Sequence, residues 1–182
     1  MKLIILDRDG VINQDSDEFI KSPAEWIPIE GSLDAIARLS RAGWRIVIAS
    51  NQSGIARGLF STDTLTAIHH KMHQAVADAG GVIDAVFFCP HGPDEGCTCR
   101  KPAPGMLLDI GRRFDTPLVG VPVVGDSLRD LQAADQCGCQ PWLVLSGKGH
   151  QTFEAAGQQG LLPAGTEVRD DLGAVVDTLL KA

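Results

Sequence analysis

An α/β fold is predicted by three features of this sequence. Short apolar runs alternate with helical patterns, polar residues follow directly on the ends of several runs, and no internal repeat or long linker interrupts the alternation. Residues 3–7 (LIILD) form the first expected strand. Ser32–Ala42 reads as a helix, with Ser32 as its cap, Leu33, Ile36, Ala37 and Leu39 on one face, and Gly43 at its end. Trp44–Ser50 (WRIVIAS) is the second strand, and a longer helix from Thr62 to Ala79 stops at Gly80-Gly81. Val82–Cys89 is the third strand, and a helix begins near Pro104, where proline suits a first turn. Val121–Gly125 is the fourth strand, a helix covers Leu128–Cys137, and Pro141–Leu145 is the fifth strand. The tail DDLGAVVDTLL is a final amphipathic helix, while Ser146–Thr166, rich in Gly and Gln, is expected to be irregular. The expected architecture is a Rossmann-like parallel sheet flanked by helices, one domain over residues 1–182.

Bulk composition narrows the function classes. Hydrophobic content of 44% and charged content of 21% describe an ordinary globular chain. A net charge of −7 argues against a nucleic-acid partner, because phosphate backbones demand a basic surface. It leaves room for a phosphorylated small molecule if a few cations are focused locally. Four aliphatic residues before Asp7 are too few for a signal-peptide core, and no apolar run approaches membrane-spanning length. A cytoplasmic monomer with no membrane partner is expected, with its five cysteines reduced.

In an open parallel sheet, ligands bind beyond the carboxyl ends of the strands. The first strand delivers Asp7 and Asp9 there, the second Ser50, Asn51 and Gln52, and the fourth Asp126 in GDSLRD. Lys101 follows the third strand after a loop. Any one of these acids could merely begin a turn or cap a helix. Gathered together they would repel one another, and a hard divalent cation such as Mg2+, which prefers oxygen ligands, resolves the conflict. Lys101 and Ser50 have the chemistry to hold a phosphoryl group, and a carboxylate can serve as its acceptor.

DRDG at 7–10, Ser50 after its strand, Lys101 after its loop and GDSLRD at 125–130 resemble the four motifs of the haloacid dehalogenase superfamily of phosphatases. The resemblance spans nearly the whole chain. It implies that Asp7 is the nucleophile and that Asp9 protonates the leaving oxygen and later activates water. It also implies that Asp7, the Asp9 carbonyl and Asp126 bind Mg2+ with Asp130 in support, and that Ser50 and Lys101 steady the transferring group.

A second cluster lies in CPHGPDEGCTCRKP. Cys89 and His91 are one residue apart, as are Cys97 and Cys99. Three thiolates and an imidazole match a tetrahedral Zn2+ site with no position left for a reactive water, so zinc here should be structural. It would stiffen the loop and fix Arg100 and Lys101. Cys137 and Cys139 lack such partners and read as small residues around a helix end. His69, His70 and His73 crowd one helix and read as solvated surface.

The zinc loop, joined to DRDG, SNQSGIARG and CRKP, resembles a branch of the superfamily that dephosphorylates sugar bisphosphates and whose near relatives act on histidinol phosphate. The interval between His91 and Cys97 is short for that branch, and Ser127 stands where some members carry lysine. Little room remains for a cap domain, so loops should choose the substrate: the flap Asp15–Phe19, the turn Ser50, Asn51, Gln52 and Ser53, and Arg100. A second phosphate would give Arg100 a bidentate partner. The alternatives are a histidinol-phosphate phosphatase and a non-catalytic zinc-stabilised module that binds phosphorylated ligands. A pure binding module needs neither Asp7 nor Asp9.

Overall fold

The computed structural model describes residues 1–181. Six strands form one sheet in the order β3-β2-β1-β4-β5-β6, with every neighbouring pair parallel. They are β1 (Leu3–Leu6), β2 (Arg45–Asn51), β3 (Ala85–Cys89), β4 (Pro122–Gly125), β5 (Gln140–Val144) and β6 (Glu167–Arg169). The helices are α1 (Ser32–Arg41), α2 (Thr62–Asp78), α3 (Gly105–Arg113), α4 (Leu128–Gln136), α5 (Gly149–Thr152) and α6 (Leu172–Leu179).

Strand β1 explains the sheet. All four of its residues are buried, because successive side chains point to opposite faces and helices cover both. Ile4 and Leu6 pack with Ala35, Ile36 and Leu39 of α1, Ile68 and Met72 of α2, and Val175 and Val176 of α6. Leu3 and Ile5 pack on the other face with Leu107 and Ile110 of α3 and Ala133 and Ala134 of α4. Pairing with β2 and β4 makes β1 central, so whatever follows Leu6 emerges in the middle of the carboxyl edge.

Several expected elements are corrected. Ser32 does not cap α1: Gly31 holds the N-cap position with φ +83°, and the Ser32 hydroxyl donates to the Val11 carbonyl. The third strand starts at Ala85: Asp84 meets Ile46 through its N–H and its carboxylate, and the residue-by-residue pairing with β2 begins only at Val47 and Ala85. Pro104 is the N-cap of α3 rather than a first-turn residue. Residues 146–166 are not wholly irregular, since they hold α5 and a π-helical turn, Phe153–Gly157. Strand β6 was not expected, and neither was the 3-10 turn Pro23–Glu25. The remaining strands and helices lie within one or two residues of expectation. Among the described residues no helix is long and apolar enough to cross a membrane.

Candidate active site

A cavity of about 270 Å3 opens at the carboxyl edge, lined at its floor by Asp7, Asp9, Ser50, Lys101, Asp126 and Asp130. Asp7 continues the line of β1, its N–H donating to the Val124 carbonyl at 2.8 Å. The chain then turns at Gly10, where φ is +84° and a Cβ would collide with the Asp126 carboxylate. Only glycine permits that approach of the first loop to the fourth strand end.

Lys101 is the hub. It is 3% exposed, and its ammonium lies 3.1 Å from Asp7 and 2.5 Å from Asp130 while donating to the Ala49 carbonyl at 2.6 Å. Burial alone would lower its proton affinity, yet the two carboxylates raise it above the ordinary lysine range. Asn51 clamps the same residue from both sides: its amide oxygen accepts from the Lys101 N–H and its amide nitrogen donates to the Lys101 carbonyl, each at 3.0 Å.

Asp7, Asp126 and Asp130 bring carboxylate oxygens within 4.8 Å of one another. Burial, with the neighbouring carboxylates opposing Lys101, pushes Asp7 up to about 7. Burial and the charges of Asp130 and Asp7 push Asp126 up to about 8. Groups that strain against their own ionisation in this way form an all-oxygen donor set that a divalent cation would relieve, so these residues fit Mg2+. Asp130 lies beside the other two carboxylates, with one oxygen on the Lys101 ammonium. It also reaches back to the Ser127 backbone N–H at 3.1 Å, fixing the start of α4.

Asp9 points elsewhere. Arg8, wholly buried, grips both its oxygens at 2.9 and 3.0 Å, and Asn13 and Gln52 add donors at 2.9 and 3.1 Å. Burial works against the charge, but Arg8 and these donors together hold the carboxyl below its usual range. The remaining Arg8 nitrogen donates to His69 Nε2 at 3.3 Å. His69 is therefore not solvated surface. Burial first, then the Arg8 charge, lowers it to about 4, so it accepts as the neutral ring. His70 and His73 are exposed as expected.

Of the expected substrate contacts, Asn51, Gln52, Ser53, Asp15 and Arg100 all line the cavity. Four of these, Asn51, Gln52, Asp15 and Arg100, are already engaged by protein. The Asn51 amide is spent on Lys101, and Gln52 donates to Asp9 and, at 2.8 Å, to the buried Ser50 hydroxyl. Asp15 faces the Lys148 ammonium at 3.3 Å. The residues that sequence reading passed over are cations at the rim: Arg57, Arg129 and Lys148. Arg57 and Arg129 sit inside SNQSGIARG and GDSLRD, so the motifs were seen but their arginines were not. Among the described residues, Arg57, Arg100 and Arg129 have no carboxylate within 4.0 Å.

The cysteine loop forms a second donor set. Cys89 Sγ lies 3.6 Å from Cys97 Sγ and 3.2 Å from Cys99 Sγ, and His91 Nδ1 is 3.5 Å from Cys89 and 3.4 Å from Cys99. A tetrahedron with Zn–S bonds of about 2.3 Å has edges of about 3.8 Å, close to these separations. Four soft donors drawn together at this spacing fit zinc. The loop touches the site through Arg100, whose guanidinium donates to the His91 carbonyl at 3.3 Å.

Comparison with known proteins agrees with this geometry. Residues 98–175 match the HAD-hydrolase-like family and residues 2–127 the polynucleotide kinase 3 phosphatase family. The D-glycero-beta-D-manno-heptose-1,7-bisphosphate 7-phosphatase of Bordetella bronchiseptica is 66% identical over 100% of this chain and 99% of its own. The Pseudomonas aeruginosa protein of the same name is 52% identical over 98% of both chains. A crystal structure of the B. bronchiseptica phosphatase with magnesium and phosphate superposes with a TM-score of 0.96 at 66% identity, covering 100% and 99% of the two chains. That of the Burkholderia thailandensis D,D-heptose 1,7-bisphosphate phosphatase gives 0.79 at 48% identity, covering 100% of each.

Fold and site together define a phosphoric monoester hydrolase of the haloacid dehalogenase type. Within that class, the chain belongs to the D-glycero-beta-D-manno-heptose-1,7-bisphosphate 7-phosphatase family.

Proposed function

We propose that this protein removes the C7 phosphate of D-glycero-β-D-manno-heptose 1,7-bisphosphate through an aspartyl-phosphate on Asp7, a step toward ADP-heptose for lipopolysaccharide. One observation carries the reading: a part-buried acid, Asp7, follows the central strand onto the cavity floor, while three arginines without carboxylate partners line the same cavity. Burial, and then the charges of Arg129 and Arg57, hold Arg100 below its ordinary range. Cations set to repel one another are accounted for by an anion that bridges them, and a bisphosphate brings a second phosphate to the rim while the first reaches the floor. The names and identities of the relatives support the same substrate and the β anomer.

An Asp7 oxygen attacks the C7 phosphorus in line, the bond to the sugar oxygen breaks, and Asp9 supplies that oxygen with a proton. Once the Asp7 oxygen is esterified, the Lys101 ammonium that faced it meets a phosphoryl oxygen instead, joined by the Ser50 hydroxyl. Asp9 then takes a proton from water, which attacks phosphorus and frees Asp7. Gripped by Arg8, Asp9 is set for this second, basic role. For the first it gains its proton as the dianionic phosphate arrives beside it and raises its proton affinity. Bound by Asp7, Asp126 and the Asp9 carbonyl, Mg2+ would offset the clustered negative charge of carboxylates and phosphoryl oxygens. Zinc held by Cys89, His91, Cys97 and Cys99 is structural in this reading, since no ligand position remains for a substrate.

Turnover measured side by side on both anomers of the bisphosphate and on histidinol phosphate tests the assignment. Preference for the β bisphosphate supports it, and higher kcat/KM on histidinol phosphate overturns it.

A further inference from the structure

Lys148 lies in the segment between β5 and α5, and its ammonium is the cavity cation paired with carboxylates of the flap. Its backbone reaches a carboxylate of the floor: the Lys148 N–H donates to Asp126 at 2.8 Å. The residues beside it are equally fixed. Ser146 donates its hydroxyl to the Gly10 carbonyl at 2.7 Å, and Thr152 donates to the Asp126 carbonyl at 2.8 Å. Gly147, at φ +56°, packs so close that a Cβ would overlap Asp126 and Gly10. The base of Lys148 is therefore anchored to the floor of the site.

Its ammonium points to the flap, 3.3 Å from Asp15 and 3.3 Å from Asp17. Asp17 is 94% exposed, so that pair counts for little, whereas Asp15 is only 19% exposed. Burial opposes the lysine charge, yet Asp15 and Asp17 hold its proton affinity above the ordinary range. On the opposite side of the flap, the Arg57 guanidinium lies 5.7 Å from the centre of the Phe19 ring. The flap is thus clipped at both ends by cations that belong to other loops.

We propose that Lys148 is a specificity-determining positioning residue, which ties the flap to the Asp126 loop through Asp15 and so holds the wall against which the sugar of the substrate rests. This rests on the phosphatase reading above. A small aryl phosphate fills only the floor and has little use for the wall. A heptose bisphosphate must find the wall in place to be aligned.

Steady-state kinetics of Lys148→Met, Lys148→Arg, Asp15→Ala and the Lys148→Met/Asp15→Ala double variant test it, on heptose bisphosphate and on p-nitrophenyl phosphate. Lys148→Met should lose about tenfold in kcat/KM on the bisphosphate, mostly as higher KM, and about twofold on the aryl ester. Lys148→Arg should recover most of the loss. Asp15→Ala should reproduce it, and the double variant should be no worse than either single one. Equal losses on both substrates would place Lys148 in the chemistry. Additive losses would mean that it touches the substrate directly, and either result overturns the proposal. If Lys148→Met proves poorly folded, the Asp15→Ala result decides, since unchanged KM there is equally fatal. Failure of the wild-type protein to hydrolyse the bisphosphate at all would instead sink the phosphatase reading, which keeps the two failures apart.

Discussion

The two donor clusters of this protein are built in opposite ways. The zinc loop gathers Cys89, His91, Cys97 and Cys99 from one short stretch of chain with almost no regular structure. The carboxylate site gathers Asp7, Ser50, Lys101, Asp126 and Asp130 from distant parts of the chain, and the hydrogen-bonded sheet brings them together. In the first an ion would hold the structure together. In the second the structure makes the place for the ion. The two meet at Arg100 and Lys101, where the loop ends and the site begins.

The largest expected effect comes from breaking the sheet-built site. Asp7→Asn should cut kcat by roughly 10^3-fold or more, because an amide keeps the shape and cannot attack phosphorus. Its melting temperature should not fall, since the change removes a carboxylate whose ionisation burial and the charges of Asp130 and Asp9 disfavour more than Lys101 favours it. Appreciable turnover, with contamination excluded, would remove Asp7 from its role.

Metal removal separates the two clusters next. Mild chelation should abolish activity without loss of zinc, and added Mg2+ alone should restore it. Cys97→Ala should do the reverse, with less than one zinc per chain by elemental analysis, a melting temperature lower by about 5 °C or more, and a raised KM. Full zinc content and unchanged stability in that variant would remove Cys97 from the ligand set.

Arg100→Ala probes the junction. A charge-assisted contact to the untransferred phosphate is worth about 1.5–3 kcal/mol, so kcat/KM on the bisphosphate should fall roughly ten- to a hundredfold. A monophosphate should lose far less, whereas Lys101→Ala should harm every substrate. Equal losses on both substrates for Arg100→Ala would count against a second-phosphate contact.

The smallest effect concerns His69. Its proton affinity falls from the ordinary 6.5 to about 4 on folding, so the unfolded chain takes up the proton first as pH drops. The neutral ring therefore contributes stability above pH 6.5 that is lost as pH falls toward 4. Gln offers Arg8 an acceptor that does not titrate. Melting temperatures of wild type and His69→Gln should be similar at pH 7.5, with the variant relatively more stable at pH 5. Parallel curves would show that His69 is not the group responsible.

How much of this was legible in the sequence follows from the same contrast. The strands of the inner sheet were readable because burial on both faces leaves them almost purely apolar, as LIIL and RIVIAS show. Their polar ends gave most of the site directly. Strand β6 escaped because three half-exposed edge residues carry no apolar run. The short helical turns after Gly149 escaped because the repeated Gly argues against helix and tertiary contacts decide the matter. Arg8 lies in plain view between Asp7 and Asp9. Its complete burial, and with it the role of His69, depends on a helix sixty residues away, and no local pattern reports that.

The central position of β1 has a consequence for how the chain is made. Its neighbours in the sheet are β2, beginning at Arg45, and β4, beginning at Pro122. At synthesis rates of about 5–20 residues per second, LIIL waits on the order of ten seconds for its second partner to leave the ribosome. Until then a wholly apolar strand has one edge unpaired, and the face meant for α3 and α4 is open to solvent. The stretch that carries Asp7 is therefore also one open to misassociation during translation.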